Sequence, residues 1–263
     1  MLSLYRDDYS FEHKSSATSK ENFINHIHTE WEMYYLVAGK NEFRINGSVY
    51  ALEPGDLLLI KPGTFHLAHP FEEKMYERMV FLFPEKHIPQ FFKEKKEENV
   101  YFFHLQQNSQ TALILRCISN SVERFNQDEA FSCIINLLDV VMLYLKHDQS
   151  PLQTPKQYVT NASLNNILSY IENNPTGYLT LDSIAKNCYI SKSWLTHIFK
   201  QHLNVAPKQY INYKKIIYAQ RLIRTGTSPT EAFSLIGYND YSTFFRQYKK
   251  ILKRSPNDDY MNL

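Results

Sequence analysis

Apolar positions in this chain follow two different periods. Between residues 24 and 83, short alternating or apolar runs (Trp31 to Val37, Glu42 to Ile45, Val49 to Leu52, Asp56 to Ile60 and Tyr76 to Phe83) are separated by Gly39, Asn46-Gly47, Glu53-Pro54-Gly55 and Pro62-Gly63. These turns hold four of the seven glycines in the chain, so the segment is punctuated at every run. A period of two predicts strands, and evenly spaced strands joined by tight turns predict an antiparallel barrel or jelly roll. Asn46-Gly47 predicts a two-residue hairpin turn.

Beyond this segment the period changes to that of a helix. His87 to Lys96 is a short charged segment, and Gln110 to Phe125 and Glu129 to His147 read as amphipathic helices. The second carries Phe131, Ile134, Ile135, Leu138, Val141, Met142 and Leu145, a stripe broad enough to pack on the barrel and still face a partner. Two uses of it stay open, an intramolecular helix hairpin and an interface with a second copy. Gln149 to Pro155 is polar, contains two prolines and breaks the pattern, as a linker does. The expected organisation is α+β: a barrel over 1–105, helical support over 106–148, a linker over 149–160 and an all-helical domain over 161–263.

Within the last segment one pattern is written twice, 49 residues apart between Leu195 and Phe244 and between Phe199 and Tyr248. Each copy reads as a helix, a tight turn and a second helix. Thr180 and Ser191 offer cap oxygens, and Ser228-Pro229-Thr230-Glu231 combines a capping box with proline at the first helical position. Pro207 to Arg224 predicts a long amphipathic connector that ends near Gly226. A tandem helix-turn-helix places the second helix of each unit in the major groove. Its outward positions are Lys192, Ser193, Thr196, His197 and Lys200 in the first copy, and Tyr241, Ser242, Phe245, Arg246 and Lys249 in the second.

Charge supports that reading. Residues 161–263 hold 13 Lys+Arg against 6 Asp+Glu, whereas residues 1–160 hold 16 against 21, so only the C-terminal part is basic. A basic face clustered with the repeat fits the phosphates of double-stranded DNA. No apolar run approaches the roughly 20 residues needed to cross a bilayer, and Met1 to Asp8 lacks the apolar core of a signal peptide. A cytoplasmic protein is expected, with no membrane partner. Cys117, Cys133 and Cys188 lack paired spacing and read as reduced packing residues.

The C-terminal motifs, Ser191-x3-Leu195-x3-Phe199-Lys200, Ala206-Pro207-x2-Tyr210, Ile236-Gly237-Tyr238, Phe244-Phe245-Arg246-x-Tyr248-Lys249-Lys250 and Ser255-Pro256, resemble the AraC/XylS family of bacterial transcription regulators. The resemblance covers about the last 90 residues. It implies base readout by Ser193, Thr196, His197, Tyr241, Ser242 and Arg246. There are departures from the family pattern: Cys188 and Lys253 stand where glycine is common, and Asp259 stands where the tail usually has tyrosine, with Tyr260 one place late.

In the N-terminal half, His26-x-His28-x3-Glu32-x6-Gly39, then Gly55-Asp56 and Pro62-Gly63-x2-His66, resembles the two motifs of the cupin fold over roughly the first 105 residues. Three imidazoles and a carboxylate suit a divalent first-row metal. AraC-like regulators resemble cupins that hold an organic effector instead, so three readings of His26, His28, Glu32 and His66 stay open: effector pocket, metal site and structural histidines. Trp31, Tyr34, Tyr35, Phe65 and Tyr76, with Arg78, supply aromatic faces and a cation suited to a polyhydroxylated ligand such as a sugar. Tyr5-Arg6-Asp7-Asp8-Tyr9 is read as an arm over the pocket or as a frayed terminus.

The function expected is a ligand-responsive, DNA-binding transcription regulator that is not an enzyme and needs no cofactor. Its expected partners are DNA, a small effector, a second copy of the chain and RNA polymerase. The alternative is a metal-dependent cupin enzyme or metal sensor joined to a DNA-binding module. No nucleophile elbow and no glycine-rich phosphate loop recruits a third class.

Overall fold

The computed structural model describes residues 1–6, 8–17, 27–70, 75–94, 99–147, 157–159, 161–176 and 179–261. They form two compact units, one from most of residues 1–158 and one from most of residues 159–263. None of their helices is long and apolar enough to cross a membrane.

In the first unit the strands run β1 (Leu2–Arg6), β2 (Tyr9–Ala17), β3 (Trp31–Ala38), β4 (Asn41–Ile45), β5 (Ser48–Leu52), β6 (Asp56–Ile60), β7 (His66–Pro70), β8 (Met75–Phe83), β9 (Val100–His104) and β10 (Gln157–Val159). They make two sheets, in the orders β1-β2-β8-β3-β6-β9 and β10-β5-β4-β7. The expected antiparallel strands are therefore present, arranged as two sheets with β1 at one edge of the larger. Between β4 and β5, Asn46 and Gly47 have φ of 46° and 84°. Left-handed conformations at both central residues define the hairpin turn that this dipeptide favours.

The larger sheet is buried on both faces. On one, Trp31, Met33, Tyr35, Leu57, Leu59, Met79, Phe81 and Phe83 share a core with helices α2 (Gln110–Arg124) and α3 (Gln127–His147), which follow the short helix α1 (Gln90–Glu94). On the other, Tyr34, Leu36, Leu58, Ile60 and Tyr76 meet Phe43, Ile45 and Leu52 of the smaller sheet. Because side chains alternate along a strand, the pairing of Tyr34 with Val80 and of Leu36 with Arg78 fixes which residues face each core.

Helices α2 and α3 thus belong to this core. Leu138 and Val141 are 1% and 0% exposed, and the stripe on α3 is spent on the sheet. The apolar side chains that α3 leaves in solvent are Val140, Leu143 and Tyr144. The stripe read as a possible interface is corrected accordingly: a helix on a two-faced sheet must bury its broadest apolar face first. Leu138→Asp should give an unfolded or insoluble chain, because it buries an unpaired charge. Leu143→Asp should stay within about 0.5 kcal/mol of wild type, as exposed substitutions do. Urea unfolding compares the two. Strand β10 occupies part of the expected linker; residues 148–156 and 160 lie outside the described residues.

The second unit contains α4 (Ala162–Asn173), α5 (Leu181–Asn187), α6 (Lys192–Leu203), α7 (Pro207–Arg224), α8 (Pro229–Leu235), α9 (Tyr241–Leu252) and α10 (Pro256–Met261). Thr180, Ser191 and Ser228 cap their helices as expected, Asp240 adds a fourth cap, and the reciprocal box forms at Thr180 rather than at Ser228. Thr180 closes a capping box with Ser183, Ser191 accepts from the N–H of Trp194, Ser228 from that of Glu231, and Asp240 from those of Ser242 and Thr243. Helix α7 joins the two helix pairs: Tyr210 packs edge-on to Phe199 at 5.4 Å, while Ile216, Ala219 and Ile223 share a core with Ala232, Ile236, Phe244 and Tyr248.

The repeat is not rigidly periodic. Ser228 follows Thr180 by 48 residues, whereas Asp240 follows Ser191 by 49, so the second turn is one residue longer. Tyr189 (φ 56°) and Gly237 (φ 67°) therefore occupy the same left-handed position, each donating to the carbonyl three residues back. Cys188 has φ −93° and does not stand in the glycine position; Tyr189 does. Lys253 (φ 60°) and Asn204 (φ 50°) are the matching left-handed caps of α9 and α6.

At the C-terminus Asp259 is 3% exposed. It accepts from Gln220 Nε2 (2.9 Å), Tyr248 Oη (2.8 Å) and Arg224 Nε (2.9 Å), with Arg254 Nη1 at 3.7 Å. Burial, followed by the nearby Asp259 charge, pushes the Tyr248 phenol well above its usual range. The aspartate that departs from the family pattern is thus the residue that ties α10 to α7 and α9, while Tyr260 is 41% exposed.

Candidate ligand site and nucleic-acid interface

Strand β3 sends Glu32, Tyr34 and Leu36 toward the smaller sheet and Trp31, Met33 and Tyr35 toward the helices. Around the first set the fold buries a polar constellation. Glu32, Tyr34, Asn41, His66, Tyr76 and Arg78 are all 9% exposed or less.

Two groups of contacts organise it. His66 Nε2 lies 3.0 Å from Glu32 Oε2, its Nδ1 lies 3.0 Å from the carbonyl of Thr64, and its ring stacks on Phe43 at 5.8 Å. The Thr64 carbonyl can only accept, so Nδ1 carries a proton. A second proton then sits in the Nε2–carboxylate contact, and the buried pair is neutral overall whichever partner holds it. In the second group, Tyr34 Oη and Tyr76 Oη are 2.6 Å apart, and the Asn41 amide nitrogen donates to them at 2.5 and 3.2 Å. The amide oxygen of Asn41 is buried with no hydrogen-bond partner among the described residues. Burial, and secondarily Tyr76, raises the Tyr34 phenol well above its usual range, so the hydroxyl stays protonated and available to donate. The Arg78 guanidinium lies 4.7 Å from the centre of the Tyr76 ring.

Of the expected ligand-site residues, then, the structure brings together Glu32, His66 and Arg78 on one face. Trp31 and Tyr35 lie on the opposite face, in the core with the helices, because they are one residue out of phase with Glu32 and Tyr34. Arg6 pairs with Asp128 at 2.8 Å and covers Phe131 at 4.7 Å. Tyr5 is 62% exposed and hydrogen-bonds Glu12, which pushes its phenol up to about 12. Neither residue forms a loose arm: Leu2–Arg6 is an edge strand in register with Tyr9–His13. Asp7 and His26 lie outside the described residues. Asn41 escaped notice because it follows Gly39-Lys40 and reads as part of the turn, although it opens β4.

His28, Glu32 and His66 each offer a ligand atom, and these atoms lie within 4.8 Å of one another. Two imidazoles and a carboxylate fit a divalent first-row ion. The mutual contact of Glu32 and His66 equally satisfies both without one.

In the second unit, Lys192, Ser193, Thr196, His197 and Lys200 are exposed on α6, and Ser242, Arg246 and Lys249 are exposed on α9. Local contacts already restrain some of them. Lys192 pairs with Asp182 at 2.9 Å, the Thr196 hydroxyl donates to the carbonyl of Lys192, and Arg246 Nη2 donates to Thr243 Oγ1 at 3.2 Å. Tyr241 and Phe245 are half-buried, and Tyr241 packs on Phe233 and Phe244 at 5.4 and 5.6 Å. Trp194, in the first turn of α6, is 37% exposed and was not among the outward positions. Its place on the flank, one residue before buried Leu195, was the signal.

The family described as "AraC-like ligand binding domain" matches residues 9–135, and the family described as "Helix-turn-helix domain" matches residues 184–259. The chain is 22% identical over 222 residues to the lactose operon transcription activator of Staphylococcus xylosus, covering 83% of this chain and 79% of that protein. It is 22% identical over 238 residues to the arabinose operon regulatory protein of Salmonella typhimurium (84% and 80%), and 21% identical over 248 residues to the HTH-type transcriptional activator RhaS of Salmonella arizonae (90% and 87%). A ligand-binding match over the sheets and helices of the first unit, and a helix-turn-helix match over the capped helix pairs of the second, account for both halves of the molecule; the chain belongs to the AraC family of transcription regulators.

Proposed function

We propose that this regulator binds a sugar or similar polyhydroxylated effector among Glu32, Tyr34, Asn41, His66, Tyr76 and Arg78, and answers by changing how its two helix-turn-helix units engage DNA. One observation carries the ligand class: the buried Asn41 oxygen that no donor among the described residues satisfies, set beside two phenols. A buried amide oxygen without a donor costs about 1–3 kcal/mol, and a ligand hydroxyl that donates to Asn41 while accepting from a phenol removes that cost. The names of relatives, which speak of lactose and arabinose operons, point to the same ligand class. The reading includes a cytoplasmic protein that pairs with a second copy and acts with RNA polymerase at the promoter. On α3, Val140, Leu143 and Tyr144 are the apolar side chains left for a second copy, and Leu143→Asp should lower the sedimenting mass.

Effector binding is tested by thermal unfolding in the presence of individual sugars. A ligand that binds only folded protein at 100 times its dissociation constant stabilises by about 2.7 kcal/mol. One sugar in a panel should raise the melting temperature of wild type but not that of Asn41→Leu. A rise retained in Asn41→Leu would remove Asn41 from the site. The His28, Glu32 and His66 cluster favours a second reading, a divalent ion held by these three side chains. Elemental analysis of protein purified without chelator should then find about one transition metal per chain, absent from His66→Ala.

A further inference from the structure

We infer that Tyr189 is a contact to the sugar-phosphate backbone of bound DNA, made from the turn of the first helix-turn-helix unit; the inference rests on that unit docking its α6 helix in the major groove. The starting observation is an unfavourable choice of residue. The turn demands a left-handed conformation at this position in both units, and the second unit meets the demand with Gly237, which has no Cβ to clash. The first meets it with tyrosine, for which the left-handed conformation is a true outlier. Among the described residues the other non-glycine positions with positive φ are Asn46, Asn204 and Lys253. Asparagine tolerates the conformation, and Lys253 is a helix cap, so an aromatic residue within a turn stands apart.

Burial does not offset that choice. The Tyr189 side chain is 94% exposed, so its ring stabilises no core. Strain retained without a packing gain points to use outside the chain. The position identifies the user. Tyr189 lies two residues before Ser191, the cap of α6, and next to the first-turn residues Lys192 and Ser193 that face base edges in this docking mode. A side chain just off the end of the groove-reading helix meets the phosphate rim of the groove, and tyrosine hydroxyls are regular phosphate donors. The neighbouring exposed residues agree in chemistry: Lys186 and Asn187 precede it, and the nearby acid Asp182 is already paired with Lys192. A protein partner would call for an apolar patch around the ring, whereas Lys186, Asn187, Ser191, Lys192 and Ser193 are exposed and polar, with Trp194 the one other large apolar side chain exposed among residues 186–194.

The experiment uses the full-length protein, a labelled duplex from the region upstream of its own coding sequence, and a random duplex, each titrated at several salt concentrations. Tyr189→Phe keeps the ring and the backbone conformation and removes only the hydroxyl. It should weaken binding to both duplexes on the order of tenfold, as loss of one hydrogen bond to a charged group does, and leave the salt slope unchanged because no cation is lost. Tyr189→Gly should weaken both duplexes at least as much while its melting temperature does not fall, which separates lost contact from lost folding. Wild-type affinity in both variants would overturn the inference. So would unchanged DNA binding with reduced transcription in a purified RNA polymerase assay, which would assign the ring to a protein partner instead. If wild type itself shifts no duplex, the docking of α6 fails first and the inference falls with it.

Discussion

Asp259→Ala should destabilise the C-terminal unit by about 3–5 kcal/mol, the range for breaking a buried charge cluster by removing one partner. The loss has identifiable parts. Tyr248 is fully buried and Gln220 is 3% exposed, and each would lose the acceptor at 2.8 or 2.9 Å that satisfies it. A buried donor left unsatisfied costs about 1–3 kcal/mol. Arg224 and Arg254 are about a third exposed, so water recovers much of what their pairing with Asp259 supplies. In a unit of this size about 4–8 °C of melting temperature accompanies each kcal/mol, which places the expected fall beyond 12 °C. Asp259→Asn should fall between wild type and alanine, since an amide keeps one acceptor but turns a donor toward Gln220 or an arginine. A loss below about 1 kcal/mol for alanine would mean that α10 is held by Pro256 and its apolar contacts alone.

This aspartate also shows where a sequence stops being informative. Its departure from the family tail was visible, yet its role was not, because the partners Gln220, Arg224 and Tyr248 lie 11 to 39 positions away and only the folded chain brings them together. Local signals behaved differently. Thr180, Ser191 and Ser228 cap their helices within three residues, and Asn46-Gly47 makes its own turn, so both could be read directly. Alternation could be read as well, but its phase could not. Trp31 and Tyr35 differ from Glu32 and Tyr34 by one residue, and which face turns toward the smaller sheet depends on the pairing of β3 with β8. The stripe on α3 was legible as apolar while its partner was not, since a sheet and a second helix make the same demand on a sequence. Asn41 carried no sequence signal at all: an asparagine two residues after a glycine reads as part of the turn until its register with Pro70 places it in a strand.

Arg246→Ala should lower affinity for the specific operator by about 1–3 kcal/mol and relax the preference at one base pair. Arg246 is exposed on α9 nearly two turns after the cap at Asp240, whose charge it feels, and among the described residues its guanidinium hydrogen-bonds Thr243 Oγ1 at 3.2 Å, which leaves further donors for the bidentate contact that guanine accepts in the major groove. Both helix pairs pack on α7, a continuous helix of 18 residues, so the two reading helices are carried by one connector. On B-DNA, units read in successive major grooves lie about one turn apart, roughly 34 Å, and one chain would then read an asymmetric site on one face of the duplex. Lys200 provides the contrast. It lies near the end of α6, exposed and beyond the residues that face bases, and its alanine variant should weaken operator and random duplex alike while making the salt dependence shallower by about one unit of slope. Binding selections with a randomised duplex, run for wild type and both variants, distinguish the roles. If Arg246→Ala loses affinity equally for operator and random DNA and its base preferences are unchanged, α9 anchors the backbone at that point and direct readout belongs to Ser242 and to the first unit.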